Sequence, residues 1–245
     1  FSNTDNIMTR GVNNKSGKVN FKNFILGGQD GIVNVLGLVL GVASATADSR
    51  IVIIAGLVSL VAESISMGAV AYTSSKAAKD YYLSRLKEES GKIKVKPKLE
   101  EEQIREIYYR KGFRGRLLVD IVKKIISNKK IWLDTVIQEN LDITLREYEK
   151  PLKIAGIVGL STVFGSIIPI LPFFFFNIKN GIILSLLFSA IVLFFVGALK
   201  AKLSIGNWKK AGLELMLIGI ISAVIGYLVG LLLKVAFNLG GVIVW

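Results

Sequence analysis

The amino-acid sequence predicts an all-α polytopic membrane protein with five transmembrane helices and a small three-helix cytoplasmic insert between the second and third of them. Three observations predict this fold class. First, 52% of the residues are hydrophobic and the mean hydropathy is +0.54, which is high for a soluble domain. Second, apolar runs recur that are long enough to cross about 30 Å of hydrocarbon at about 1.5 Å per residue. Third, the charged residues lie almost wholly between those runs.

Residues 23–80 contain the first two predicted spans. Span one covers about residues 23–47, and span two begins at residue 51 after the short link 48–50. After the apolar part of span two, good helix formers continue without a breaker as far as Gly91, which predicts one long helix that leaves the membrane. Residues 1–22 are polar and lack a signal peptide, so we expect a cytoplasmic N-terminal segment and insertion directed by span one.

Residues 81–150 are rich in Lys and Glu and predict a compact helical domain rather than a linker. Three amphipathic patterns cover residues 98–111, 114–127 and 130–142, and Gly112 is in the position of a helix C-cap. Apolar residues recur at a spacing of three to four and predict a small core of Ile104, Ile107, Tyr108, Leu117, Leu118, Ile121, Val122, Ile125, Ile131, Trp132 and Val136.

Residues 151–245 contain the last three predicted spans, at about 153–176, 181–199 and 211–236, with a basic loop at 200–210. Lys and Arg are concentrated in the N-terminal segment, the insert and this loop, so the positive-inside rule predicts a cytoplasmic N-terminus and an external Trp245. The net charge of +13 is therefore explained by cytoplasmic loops, and we expect no nucleic-acid partner. The Ile/Lys-rich composition and the lack of a targeting segment favour a prokaryotic plasma membrane.

The sequence contains no Cys and no His, which excludes disulfide scaffolds, zinc fingers, His-ligated haem and catalytic triads. We find no nucleophile and base pair, nucleotide-binding loop or pair of catalytic carboxylates. The sequence therefore predicts neither an enzyme nor a bound cofactor. Any metal chemistry must use carboxylates, amides, hydroxyls, Met or backbone.

Ionisable side chains inside the predicted spans are the candidate functional residues, because each costs about 2.5–3.5 kcal/mol on insertion scales. Asp30 lies among glycines in span one and is either a structural carboxylate or an ion ligand on a transport path. Glu63 lies in span two, and Met67 follows four residues later on the same helix face, as a ligand or as packing. Glu214 opens span five, where it is either a ligand or a partner of nearby lysines.

Oxygen ligands with an added Met suit a divalent first-row cation such as Fe²⁺ or Mn²⁺. Such a cation would be a transported substrate, and exchange for protons is chemically reasonable because a carboxyl group must lose its proton to bind metal. In the insert, several acidic side chains could chelate metal, although solvated helix faces explain them equally simply. These side chains are Glu88, Glu89, Glu100, Glu101, Glu102, Glu106, Glu139 and Asp142.

Four segments together resemble the vacuolar iron transporter family over most of the chain. They are GGQDGIVNVLGLVLGVA, VAESISMGAVAYTSSKAAKDYY, GSIIPILPF and FFVGALKAKLSIGNWKKAGLELMLIG. The resemblance implies a homodimeric five-helix carrier that exchanges cytosolic Fe²⁺ for protons and has a cytoplasmic metal-binding domain between spans two and three. It also implies that Asp30 and Met67 lie on the translocation path. The pair Gly37 and Gly41 supports a dimer interface on span one.

The resemblance implies that Glu89 and Glu100 occupy two glutamate positions of the family's cytoplasmic metal site. The other ligand positions hold Lys92, Gln103, Val136 and Asn140, and Ala71 stands where many members have Glu. We therefore expect this second site to be weak or absent, unless a local shift recruits Glu88, Glu102, Glu106 or Glu139. An alternative function is that of a non-transporting membrane protein whose degenerate insert mediates protein contacts.

Overall fold

The computed structural model describes residues 2–141, 150–203 and 206–237, and no strand occurs in these ranges. Asp142, Trp245 and the side chain of Asn140 lie outside the described residues. The chain divides into two compact units. One unit consists of residues up to Tyr72 together with those from Pro151, and the other of Thr73–Lys150.

The helices follow one another along the chain as α1 Ser2–Thr46, α2 Ser49–Val95, α3 Pro97–Arg110, α4 Gly115–Ile126, α5 Lys129–Leu141, α6 Pro151–Ile170, α7 Pro172–Phe175, α8 Ile178–Leu203 and α9 Trp208–Ala236. In the described ranges, 5 stretches are long and apolar enough to cross a membrane. They are Asn20–Thr46 of α1, α2, α6, Ile178–Lys202 of α8, and α9. The predicted all-α class with five spans is confirmed.

Helix α2 continues past Gly91, where the sequence led us to expect a breaker. One glycine inside a helix costs only about 1 kcal/mol, whereas a proline disfavours helical backbone in the residue before it. The end of α2 at Val95 accordingly lies just before Pro97, which is the first residue of α3. Helix α1 also differs from the expectation, because it begins at Ser2 and includes the polar residues before span one.

The predicted span 153–176 is divided at Leu171 into α6 and the short helix α7. Pro172 has no N–H to donate, and the amide of Phe174 instead donates to the carbonyl of Leu171 at 3.2 Å, as in a tighter turn. Helix α8 begins before the predicted 181 and runs to Leu203. The predicted basic loop at 200–210 is therefore formed largely by the end of α8 and the start of α9.

Helix α1 is the central helix of the first unit and packs between α6 and α9. Its residues Val35, Leu36 and Val39 are fully shielded from solvent and form a core with residues of α2, α6 and α7. A smaller cluster joins Ile32 to α8 and α9. Helix α1 therefore supplies the side chains around which the other spans pack.

Glycines allow α1 to approach both of its neighbours at backbone distance. A Cβ added at Gly31 would lie 2.5 Å from the carbonyl oxygen of Thr162 on α6. A Cβ at Gly41 would lie 2.9 Å from the carbonyl oxygen of Gly226 on α9, and Gly37 lies against Ser222 of α9. The expectation that Gly37 and Gly41 form a dimer interface is therefore wrong, because both pack inside one protomer.

The second unit has the predicted three-helix core. Ile104, Val122 and Val136 are almost completely buried and pack together with Ile93 from the end of α2. The boundaries agree with the predicted ones within two residues, in part because Gly112 has the positive φ of 97° expected of a residue after a helix C-terminus. Two predicted core positions are wrong: Leu117 is 57% exposed and Ile131 is 46% exposed, on the outer faces of their helices.

The contact between α1 and α9 predicts a large effect of one added methyl group. In Gly230→Ala, the new Cβ would meet the carbonyl oxygen of Gly41 and the hydroxyl of Ser44, so the two backbones must separate. We expect the free energy of unfolding in detergent to fall by about 1–3 kcal/mol, as for other overpacked sites.

The matched control is Gly156→Ala in α6, where an added Cβ has nothing within 4 Å. Thermal unfolding of the two variants in the same detergent should show a lower midpoint for Gly230→Ala and an unchanged or higher midpoint for Gly156→Ala. Equal midpoints would show that the spacing between α1 and α9 does not limit stability.

Candidate metal site

The structure brings Asp30 of α1 and Glu63 of α2 together inside the candidate spans. The two carboxyl groups are close enough for a hydrogen bond between them when one carries a proton. One Glu63 oxygen, Oε1, accepts a hydrogen bond from Nδ2 of Asn34 at 2.5 Å. The other, Oε2, is buried and has no donor in the described part of the chain. The cluster thus offers carboxylate oxygens that a cation could bind.

Asn34 is the member of this cluster that the sequence reasoning missed. It follows Asp30 by four residues and therefore lies on the same helix face, which is the signal that could have identified it. Its amide fixes the position of one Glu63 oxygen and leaves the other available. Asn34 is therefore a positioning residue for the carboxylate pair.

Met67 lies one turn beyond Glu63 on α2 and is partly exposed. Asp30 and Glu63 are also only partly buried, and Asn34 is exposed. On α1, residues 26 and 38 flank these positions on the same face, and both are exposed leucines. The cluster therefore lies on an open face of the bundle rather than in its sealed core.

In the second unit, Glu89 and Glu100 are buried, with 8% and 2% of their surface exposed. Lys92 lies next to them, with Nζ 2.8 Å from a carboxylate oxygen of Glu89 and 2.9 Å from one of Glu88. Oε2 of Glu100 is buried without a donor in the described residues. The two glutamates that we expected at a metal site are therefore near each other, and an ammonium group lies beside them.

The other residues considered for the insert do not complete a metal site. Glu102 and Glu106 are exposed and pair with Arg105 and Arg110 on their own helix. Val136 belongs to the buried core, and Gln103 is partly buried. Among the described residues there is no group of three or more Asp or Glu side chains that could hold a metal ion.

Burial raises the pKa of the Glu100 carboxyl, and the negative charge of Glu89 raises the pKa further, while Lys92 lowers it. A carboxyl whose pKa is higher in the folded state than in the unfolded state favours folding most when it is protonated. The contribution of Glu100 to the free energy of unfolding therefore decreases as the pH rises from its unfolded pKa to its folded pKa.

Glu100→Gln is expected to make the insert more stable at neutral pH and to weaken the pH dependence of its stability above about pH 4.3, the ordinary glutamate value. The measurement is denaturant unfolding of the full-length protein with a chelator present, followed by the fluorescence of Trp132 in a Trp208→Phe, Trp245→Phe background. The control is Glu102→Gln, an exposed residue of the same helix. A loss of stability at pH 7 in Glu100→Gln would contradict this account of the buried carboxylate.

Comparison with known proteins identifies the family of the chain. Vacuolar iron transporter 1 of Tulipa gesneriana is 27% identical over 207 residues, which cover 84% of this chain and 84% of that protein. The vacuolar iron transporter of Plasmodium falciparum is 28% identical over 239 residues, which cover 94% of this chain and 88% of that protein. The sequence profile of the VIT family matches residues 21–231. The chain therefore belongs to the VIT family.

Proposed function

We propose that this chain transports Fe²⁺ or Mn²⁺ out of the cytosol in exchange for protons, with Asp30, Glu63 and Met67 on the path of the ion. The observation that carries the proposal is the contact between the Asp30 and Glu63 carboxyl groups inside the candidate spans. The relatives are named iron transporters, which supports metal transport and a protein that is not an enzyme. The carboxylate pair favours transport over a purely structural membrane protein.

The charge of this pair suits a divalent cation. Two carboxylates in contact repel each other strongly where the dielectric constant is low, and a bound dication removes that repulsion. Oxygen ligands select hard or borderline cations, and the thioether of Met67 would favour a transition metal over Mg²⁺ or Ca²⁺. Protons that bind the same oxygens after the metal leaves would couple the two fluxes.

We also propose that two copies of the chain assemble with this face between them. Partly exposed carboxylates in mid-span are costly against lipid unless protein or water covers them. Beside them on α1, Leu26 and Leu38 are exposed apolar side chains on the same helix face as Asp30 and Asn34. A second copy placed on this face would cover the carboxylates and could add its own Asp30 and Met67 to the path.

The excess of Lys and Arg in the N-terminal segment, the insert and the α8–α9 connection supports an N-terminus on the cytoplasmic side and a C-terminus on the external side. We propose the plasma membrane of a prokaryote as the location. In this orientation the insert is cytoplasmic, where Lys92 acts as a resident cation beside Glu89 and Glu100 in place of a metal ion.

Asp30→Asn keeps the size of the side chain and removes its charge, so we expect the initial rate of Fe²⁺ or Mn²⁺ flux into proteoliposomes to fall at least about tenfold. Met67→Ala should reduce Fe²⁺ flux more than Mn²⁺ flux, because a thioether ligand binds Fe²⁺ more strongly than Mn²⁺. Flux is measured with and without an imposed proton gradient.

Two matched variants control this experiment. Glu214→Gln neutralises an exposed carboxylate at the start of α9, and Met216→Ala truncates a methionine of the same helix. Both should transport as the unchanged protein does. Normal flux in Asp30→Asn would exclude Asp30 as a ligand, and flux that does not respond to the gradient would exclude proton exchange.

Lys92→Glu should create a third carboxylate beside Glu89 and Glu100 and so add a Mn²⁺ site to the insert. Mn²⁺ binding is measured from the paramagnetic signal of free Mn²⁺ with the detergent-solubilised full chain, in an Asp30→Asn background that weakens the membrane site. Lys94→Glu is the control, because it makes the same charge change at a neighbouring exposed position. Equal binding by the two variants would show that overall charge, and not the position of Lys92, decides metal binding here.

A further inference from the structure

A cavity of about 730 Å³ lies where α8 ends and α9 begins, apart from the carboxylate cluster. Its walls include Phe195, Leu199 and Lys202 from α8, together with Gly206, Asn207 and Trp208 from the following connection and the first residue of α9. The transport proposal uses none of these residues.

The apolar wall of the cavity is itself exposed. Phe195 is 64% exposed, Leu199 is 46% exposed and Trp208 is 50% exposed. The Trp208 ring packs edge-on against Phe194 with 6.4 Å between the ring centroids, so its position is defined by α8. These residues lie at the ends of two candidate spans, which is the level where hydrocarbon meets headgroups and where Trp is enriched in membrane proteins.

Lysines cluster around this apolar wall; Lys202 lines the cavity itself, and the first acidic residue after the cluster is Glu214, one turn beyond Lys210. Lys200 and Lys202 are in the last turn of α8, and Lys209 and Lys210 are in the first turn of α9. The sequence has no Asp or Glu between Glu149 and Glu214, and in the described residues none of these lysines forms a salt bridge. Nζ of Lys209 lies 5.5 Å from the centroid of the ring of Trp208, which lines the cavity.

The lysine side chains, rather than the backbone amides of α9, are the groups available to an anion. The Asn207 side chain already accepts hydrogen bonds from the amides of Lys209 and Lys210, and the Ala211 amide donates to the Asn207 carbonyl. The positive end of the α9 dipole still adds to the potential at this point.

We propose that this cavity binds one phospholipid with a net negative headgroup. The lysines pair with the headgroup phosphate, Trp208 lies at the level of the glycerol ester groups, and the first part of an acyl chain lies along Phe195 and Leu199. An amphiphile fits this cavity better than a free phosphate ion, because the lysine cluster adjoins an apolar wall that only a hydrocarbon chain can cover.

The test measures quenching of Trp208 fluorescence by lipids that carry bromine on their acyl chains. The full-length protein is reconstituted into phosphatidylcholine vesicles that contain a minor fraction of brominated phosphatidylglycerol or, in the parallel sample, of brominated phosphatidylcholine. The contribution of Trp208 is obtained by subtracting the signal of Trp208→Phe. We expect brominated phosphatidylglycerol to quench Trp208 well beyond its mole fraction, and brominated phosphatidylcholine to quench only in proportion to it.

The triple variant Lys202→Gln, Lys209→Gln, Lys210→Gln should lose this preference. The affinity for brominated phosphatidylglycerol should fall about fivefold for each lysine that contacts the headgroup. Lys179→Gln, at the opposite end of α8, is the control and should keep it. Equal quenching by the two brominated lipids, or a preference that survives the triple variant, would overturn the proposal. Loss of the preference on adding soluble glycerol phosphate would identify a free phosphate as the ligand and would also overturn it.

Discussion

The close approach of α1 to α6 and α9 is the constraint on which the rest of the membrane unit depends. Lipid tails are as apolar as Leu or Val side chains, so burial of apolar surface does not by itself hold spans together in a bilayer. Short distances between backbones must supply the attraction, and Gly31, Gly41 and Gly226 permit them. Because α1 is held on two sides, Asp30, the residue before Gly31, has a backbone position that the bundle defines well.

Helix α2, which contributes Glu63 and Met67, is held much less firmly. The apolar window of α2 is 17% buried, compared with 44% for the window of α1. Its contacts are confined to a stripe that includes Gly56 against Ile170, and Gly68 near Ala155 and Gly159 of α6. Within one chain, the bundle therefore defines the position of Asp30 on α1 more firmly than that of Glu63 on α2.

Much of this fold could be predicted from the sequence because apolar run length and helix-terminating residues are local signals. The helices of the insert were predicted within two residues, since Pro97 and Gly112 act on their immediate neighbours. The partner of a helix face is not a local property. Gly37 and Gly41 form a small-residue face on α1, and the sequence cannot tell whether that face packs on a second protomer or, as it does here, on α9 of the same chain.

The same reasoning explains what was missed at the candidate site. Asp30 and Glu63 were found because a charge inside an apolar run is visible in one sequence. The role of Asn34 depends on a contact with a residue 29 positions away, on another helix. Neutral amides in a span do not have the desolvation cost that draws attention to a carboxylate.

In the insert, Lys92 and Val136 each help to accommodate the two buried glutamates. Two buried carboxylates next to each other destabilise a domain unless a positive charge lies close by. Lys92 provides that charge from within the chain, and Val136 adds a buried apolar side chain to the core that Ile104 and Val122 also form. Glu89 and Glu100 can therefore remain buried without a metal ion. On this basis the insert is a folded domain whose two buried glutamates are balanced by a lysine of its own chain.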